Sequence, residues 1–279
     1  MIKEIKKCRI CQNQELIPVL DLGSQTLTGV FPRSPDERIT HGPLELVKCV
    51  EGAGKHCGLL QLRHSYELEE MYGENYGYRS GLNQSMVEHL RGRVQKILNR
   101  VNLVAGDLVI DIGSNDSTLL QSYPQRDLQL TGIDPTGVKF KKYYPSHIDL
   151  IPDFFSAAKV KERFGAKKAK VITSIAMFYD LESPTDFMRN IFDVLDDDGI
   201  WVFEQSYMPT MLEKDSYDTV CHEHLEYYAL RQIKWMADVV GFVIVDVEFN
   251  LANGGSFAIT VAKKSSSTHK ENLFLVNSI

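Results

Sequence analysis

The chain has 279 residues, 43% hydrophobic and 24% charged, with five cysteines and a net charge of −6 at pH 7. That length and composition suit one or two globular domains that bury a core without disulfides, and the acidic balance argues against gripping nucleic acid by phosphate neutralisation. No run reaches the roughly 18 apolar residues of a membrane span, and the first residues, Met-Ile-Lys-Glu-Ile-Lys-Lys-Cys, hold no apolar signal core, so a cytoplasmic protein with reduced thiols is expected.

Residues 1–63 carry Cys8, Cys11, Cys49 and Cys57 together with Pro18, Pro32, Pro35 and Pro43, and show little helical periodicity. Cys8-Arg-Ile-Cys11 has the spacing that turns two thiolates towards one tetrahedral zinc. Cys49 and Cys57 are separated by seven residues, among them Gly52, Ala53 and Gly54, so a looped-out excursion can bring their sulfurs together. Four thiolates close a tetrahedron and leave no position for water, which makes the zinc structural. His41 and His56 stand as substitute ligands, and free thiols or a redox pair are the competing readings. The expectation is a small, loop-rich zinc domain whose thin core leans on the metal.

Residues 64–83 form a connector in which Tyr72, Tyr76 and Tyr78 are either packing anchors or walls of a cleft. The third segment is 84–279. A helix begins at Ser85, spaced from Glu88 as a capping box, and carries Val87, Leu90, Val94, Ile97, Leu98 and Val101 at helical intervals. Strand-like runs follow at 108–112, 128–133, 170–175 and 199–203, with amphipathic helices near 156–164 and 184–195. The Lys-rich stretch 159–170 reads as a solvated face. Alternating strands and helices predict an α/β fold with a parallel sheet covered on both sides. Two last strands, 243–249 and 256–262, are joined by a hairpin turn at 250–255. A terminal antiparallel hairpin fits a class I methyltransferase, with its Rossmann-like sheet, better than a nicotinamide dehydrogenase.

The run from Val109 to Leu119 reads as a strand ending in Asp111 and Ile112, a tight turn at Gly113, then a helix. Ligands bind beyond the carboxyl ends of such strands. A dinucleotide would want Gly-x-Gly-x-x-Gly for its pyrophosphate; here only Gly113 is present, with Asn115 and Ser117 elsewhere in the turn. An acidic turn suits a ligand without phosphates, such as S-adenosylmethionine. Asp134 ends the next strand, where a carboxylate can accept both ribose hydroxyls, although a plain turn before Pro135 is the competing reading.

Taken together, Cys8-Arg-Ile-Cys11, Cys57-Gly-Leu-Leu-Gln-Leu62, Tyr76-Gly-Tyr78, Asp111-Ile-Gly-Ser-Asn-Asp116, Ile175-Ala-Met-Phe-Tyr-Asp-Leu181, Phe203-Glu-Gln-Ser-Tyr207, His222-Glu-His224 and Gly254-Gly-Ser256 resemble the sugar C-methyltransferases that act on nucleotide-linked 4-keto deoxysugars. The resemblance implies an N-terminal zinc domain and a central S-adenosylmethionine domain. It implies that His224 is the base at the sugar carbon, that Glu223 orients it or shares the role, and that Tyr76 and Tyr78 help enclose the cofactor. Three departures stand out. Cys221 replaces a tyrosine common in that family, Ser117 replaces a glycine, and the family continues into a further domain beyond the point where this chain reaches Ile279. That domain, or a partner chain supplying it in trans, would complete the binding of a sugar-nucleotide substrate.

The chemistry fits the residues. A carbon beside a ketone becomes nucleophilic when a base removes its proton, and histidine titrates in the right range. His224 with Glu223, His222 and Tyr227 makes an acid–base set, unless it is a satisfied polar cluster. Glu204 and Tyr207 follow a strand and are expected at the substrate; Met177, Phe178 and Tyr179 follow another and are expected at the cofactor, with core packing as their rival. Three further functions compete. An RNA base methyltransferase would want an Asn/Asp-Pro-Pro-aromatic loop where Ala176-Met-Phe-Tyr-Asp180 stands, a cofactor-binding scaffold would bind the donor without transferring methyl, and NAD-dependent oxidation lacks its glycine motif.

Overall fold

The computed structural model describes residues 2–72, 76–124 and 127–276; connector residues 73–75 lie outside that set. Five strands come from the first 65 residues: β1 (Lys3–Glu4), β2 (Leu16–Thr26), β3 (His41–Cys49), β4 (Leu60–Leu62) and β5 (His64–Ser65). β2 and β3 pair antiparallel from Leu16↔Cys49 to Thr26↔His41. This segment is therefore more regular than its prolines suggest. Pro18 sits where the register slips, on an edge strand that is mostly exposed, so its missing N–H costs the ladder little.

After α1 (Leu68–Met71) comes α2 (Gln84–Arg100). Its cap lies two residues before the expected one: the Asn83 side chain accepts from the Ser85 backbone N–H at 3.0 Å and from its hydroxyl at 2.7 Å. Asparagine is as good a cap as serine, and an extended Asn83 takes the position first. β6 (Leu108–Ile112), β7 (Gln129–Ile133), α3 (Gly137–Phe140), β8 (Ile148–Ile151), α4 (Ala157–Phe164), β9 (Ala169–Ile175), α5 (Pro184–Val194), β10 (Leu195–Ser206), α6 (Met208–Glu213), β11 (Glu226–Tyr227), α7 (Leu230–Val240), β12 (Phe242–Asn250), β13 (Ser256–Lys263) and α8 (Leu273–Val276) complete the order.

Seven strands make one sheet in the order β12-β13-β10-β9-β6-β7-β8. Only β13 runs against its neighbours, pairing antiparallel with both β10 and β12. This is the class I methyltransferase sheet with its terminal hairpin. Side chains of β6 alternate between the two covered faces. Ile110 and Ile112 join the core with Met188, Ile191, Ile233 and Met236, whereas Val109 joins Leu90, Val94 and Ile97 of α2. Among the described residues, no helix is long and apolar enough to cross a membrane.

A second sheet has the order β11-β4-β3-β2. Its edge partner for β4 is β11, with Glu226 opposite Gln61 and Tyr227 opposite Leu60. The polypeptide just after His224 is thus built into the N-terminal sheet.

Candidate active site and zinc centre

Cys8, Cys11, Cys49 and Cys57 converge, and their sulfurs all lie within 4.8 Å of one another. The Cys8–Cys57 and Cys11–Cys49 sulfur pairs are 3.4 and 3.6 Å apart. Zinc–sulfur bonds of about 2.3 Å in a tetrahedron put sulfurs about 3.8 Å apart, so the set fits zinc. The excursion between Cys49 and Cys57 is the expected loop. Gly52, Ala53 and Gly54 all take positive φ, and the Cys49 N–H bonds the Leu59 carbonyl at 2.9 Å across its base. His41 and His56 stay outside the cluster.

A cavity of about 230 Å³ opens at the carboxyl ends of β6, β7 and β9. Tyr76, Tyr78, Asp111, Gly113, Asn115, Asp134 and Met177 all line it, so the structure gathers every residue expected at the cofactor. Three aspartates line it, Asp111, Asp134 and Asp180, and no Lys, Arg or His does among the described residues. Such a wall rejects a pyrophosphate and suits a cationic ligand, as S-adenosylmethionine is through its sulfonium and ammonium groups. The turn after β6 differs from the expected helix. Gly113, Asn115 and Ser117 each take positive φ, which breaks a helix, and the chain passes through turns into one 3-10 turn at Leu120–Ser122. The freed side chains clasp the connector. Asn115 Oδ1 accepts from the Ser80 N–H at 3.0 Å, and Asp116 Oδ2 accepts from Gly81 N–H at 3.0 Å and from Arg79 at 3.2 Å. A Cβ on Gly81 would stand 2.6 Å from that oxygen.

Asp134 is held rigidly. Its Oδ2 accepts from the Asn115 N–H at 2.7 Å, and its Oδ1 from the Thr136 N–H at 2.7 Å and hydroxyl at 2.6 Å. Asp111 is 4% exposed, and its Oδ1 accepts from Thr173 Oγ1 at 2.6 Å. Burial pushes its carboxyl up to about 7; the Thr173 bond opposes this and the neighbouring Asp134 adds to it.

The histidine segment lies one layer away, after the turn Tyr217–Thr219. His224 Nδ1 lies 2.9 Å from the Thr219 carbonyl. A carbonyl only accepts, so in the neutral ring Nδ1 carries the proton and Nε2 the lone pair. The ring packs at 4.2 Å on Tyr179. It lines a small cavity with Tyr179, Thr219, Glu226 and Tyr227, whose hydroxyl also donates to Thr219 at 3.3 Å. Glu223 is half-buried; burial pushes its carboxyl up and His224 opposes this. A Cβ on Gly29 would collide with Glu223 Oε1 at 1.9 Å, so only glycine admits that carboxyl there.

Three expected site residues are placed elsewhere. His222 is fully buried, edge-on to Tyr66 at 4.8 Å, with Nε2 3.4 Å from the Gly42 carbonyl; it is packed away from the cavity as a structural histidine. Tyr207 packs between Phe249 and Phe257, at 4.9 and 4.8 Å, and lines neither cavity. Glu204 is 3% exposed with both oxygens taken, by His89 at 2.6 Å and Arg93 at 2.6 Å. Burial would raise its carboxyl, but His89 and Arg93 outweigh that and hold it below the ordinary value. A strand's carboxyl end is a place for ligands only when no helix side chain reaches it first, and α2 supplies two, His89 and Arg93. Arg93→Met leaves this buried carboxylate half-paired and should cost about 3–5 kcal/mol, read from urea denaturation.

Sequence reasoning missed Asp180; of the residues expected beside it, Phe178 is buried in the core and Tyr179 lines the small cavity and not the large one. Asp180 lines the large cavity, and its Oδ2 accepts from the Tyr72 hydroxyl at 2.9 Å. Its signal was its place just after β9, the same signal that pointed to Met177.

Comparison with known proteins fits this geometry. Residues 8–72 match the family described as "Putative zinc binding domain". Residues 86–247, more than half of the chain, match the family described as "Methyltransferase domain". The chain belongs to that family of S-adenosylmethionine-dependent methyltransferases, with a zinc-binding domain before it. C-methyltransferase NovU of Streptomyces niveus is 27% identical over 266 residues, covering 94% of this chain and 62% of that protein. The chain thus spans less than two thirds of that relative's length. Among solved structures, the plantazolicin methyltransferase BpumL with S-adenosylhomocysteine aligns at a TM-score of 0.48 and 12% identity, over 62% of this chain and 82% of its own. LepI with S-adenosylmethionine aligns at 0.48 and 14%, over 70% and 51%.

Proposed function

We propose that the chain is a C-methyltransferase acting on the carbon beside a ketone, in a nucleotide-linked deoxysugar or a related carbonyl compound. The observation that carries this reading is an aspartate-lined cavity at the sheet edge with a histidine beside it whose Nδ1 is fixed on the Thr219 carbonyl. The similarity to C-methyltransferase NovU supports transfer to carbon.

Asp134 and Asn115 would hold the ribose side of the donor, Asp111 its ammonium end, and Tyr76, Tyr78 and Met177 its flanks. When bound, S-adenosylmethionine supplies an electrophilic methyl group on a positive sulfur. The residues of the chain prepare the carbon that receives it. Nε2 of His224 takes the proton next to the ketone, and the Thr219 carbonyl stabilises the imidazolium through Nδ1. Glu223 balances the new positive charge, and Tyr227 helps fix Thr219.

Calorimetry on folded protein should register one donor site. Ionised Asp111 attracts the cationic donor, so affinity should tighten as pH rises through about 7. Asp111→Asn should remove that dependence. The same variant should raise the ligand-free melting temperature above pH 7. The folded pKa exceeds the ordinary 3.8, so ionising Asp111 loses stability as pH rises between those values. A folded protein giving no heat with either the donor or its demethylated product would reject the reading. Mass spectrometry of a keto-sugar nucleotide after incubation tests transfer.

A further inference from the structure

We infer that Asp180 is a second catalytic group of this site, a neutral carboxylic acid that gives its proton to the substrate's carbonyl oxygen while His224 takes one from the adjacent carbon. The inference rests on the C-methyltransferase reading and names the acid which that reading lacks.

Asp180 ends the 3-10 turn Phe178–Asp180 directly after β9, at the ligand edge of the sheet. It lines the donor cavity beside Tyr72, Tyr76 and Met177. Its two oxygens are unequal. Oδ2 accepts the Tyr72 hydroxyl at 2.9 Å, whereas Oδ1 is shut off from solvent and has no hydrogen-bond partner among the described residues. A native protein rarely leaves a buried oxygen unused without a ligand, a water or a reaction to meet it. Because Tyr72 donates into Oδ2, the acid's own proton belongs on Oδ1.

The surroundings keep that proton in place. Burial raises the Asp180 carboxyl well above the ordinary range; His224 and the Tyr72 bond oppose this, and Glu223 and Cys221 add to it. Tyr76 and Tyr179 also face it, and both are pushed above the usual phenol value, mainly by burial. The neighbouring residue Tyr179 packs on the His224 ring, so base and acid are set on one short turn and its contact.

The step balances. The carbon–hydrogen bond breaks, its electron pair becomes the new carbon–carbon double bond, and the carbonyl π pair moves onto oxygen. The carbon's proton goes to Nε2 of His224. The oxygen receives the Oδ1 proton of Asp180. Neutral histidine and neutral acid become imidazolium and carboxylate, so no net charge enters the site. The carboxylate, still bonded to Tyr72, takes its proton back when the carbonyl is restored. Removing one preorganised donor to a developing oxyanion lowers rates by about 10²–10³-fold.

The full chain is tested with a thymidine-diphosphate-linked 4-keto-6-deoxyhexose in deuterium oxide, with S-adenosylhomocysteine in place of the donor. Asp180→Asn should slow exchange at the carbon beside the ketone about 100-fold, with donor affinity and zinc content unchanged, and Asp180→Glu should recover part of it. Exchange that needs His224 but is indifferent to Asp180 overturns the inference alone. Exchange absent from every chain, or indifferent to His224, overturns the C-methyltransferase reading and this inference with it. Infrared difference spectra of parent minus Asp180→Asn, at a pH above that which ionises Asp111, read the acid without any substrate. The carbonyl stretch of a protonated carboxyl is expected, and carboxylate bands in its place overturn the inference. Tyr72→Phe keeps the acid and removes its bond, so a shift of the same band serves should Asp180→Asn not fold.

Discussion

His224→Asn should abolish exchange of the proton beside the ketone, by about 10²–10⁴-fold, and methyl transfer with it, while leaving donor binding intact. Asparagine keeps an N–H able to meet the Thr219 carbonyl, which His224 Nδ1 bonds at 2.9 Å. It has no second nitrogen to stand in for Nε2. The variant therefore removes the lone pair and spares the scaffold. His224 lines the small cavity beside the donor site and not the donor site itself, so calorimetry with the donor should match the parent. Exchange at the parental rate would remove His224 from the chemistry. His222→Asn is the matched control for a buried, structural histidine, and its effect should fall on stability.

Cys8→Ser or Cys57→Ser should strip the metal and unfold the N-terminal sheet. Structural zinc sites supply about 10 kcal/mol of apparent binding free energy at neutral pH, as much as the whole stability of many domains. Cys8, Cys49 and Cys57 are essentially unexposed, so a bare serine there is also a buried polar group without partners. Elemental analysis should find about one zinc in the parent and none in either variant, and the thermal midpoint should fall sharply. A parent without zinc, or a metal-free variant of unchanged midpoint, would contradict this. Activity should fall with the metal as well. Arg9, between the two knuckle cysteines, has its Nε 3.7 Å from Glu226 Oε1, and the two side chains are almost fully buried. Glu226 in turn walls the His224 cavity.

The sheet was legible because a buried parallel strand has few rivals. Leu108–Ile112 is apolar save for Asp111, and both its faces are covered. The residues expected at the cofactor come together in one cavity for a related reason, since the turns after neighbouring parallel strands open on the same edge of the sheet. The same rule misplaced Glu204. Its partners His89 and Arg93 lie more than a hundred residues away in sequence, and no local pattern announces such a pair. His222 shared a tripeptide with His224, yet its ring packs against Tyr66 and reaches the Gly42 carbonyl, contacts that no local pattern announces. Asp180 escaped because a carboxylate after a strand looks ordinary until its unpaired oxygen is located in space. The helix expected after Gly113 failed at Asn115 and Ser117, whose left-handed backbone is a demand of the clasp and not a preference of those residue types.

The strand supplied by Glu226 and Tyr227 has a consequence for how the chain is made. Synthesis delivers β4 early and its neighbour β11 some 160 positions later, as the pairing of Gln61 with Glu226 records. Until then the nascent N-terminal sheet has an open flank and Arg9 lacks Glu226 beside it, both hazards for a chain still on the ribosome. Closing so long a loop is slow. Maturation of the metal-bound end should therefore wait on the catalytic segment, and a fragment holding only the early residues would leave that flank open to other chains.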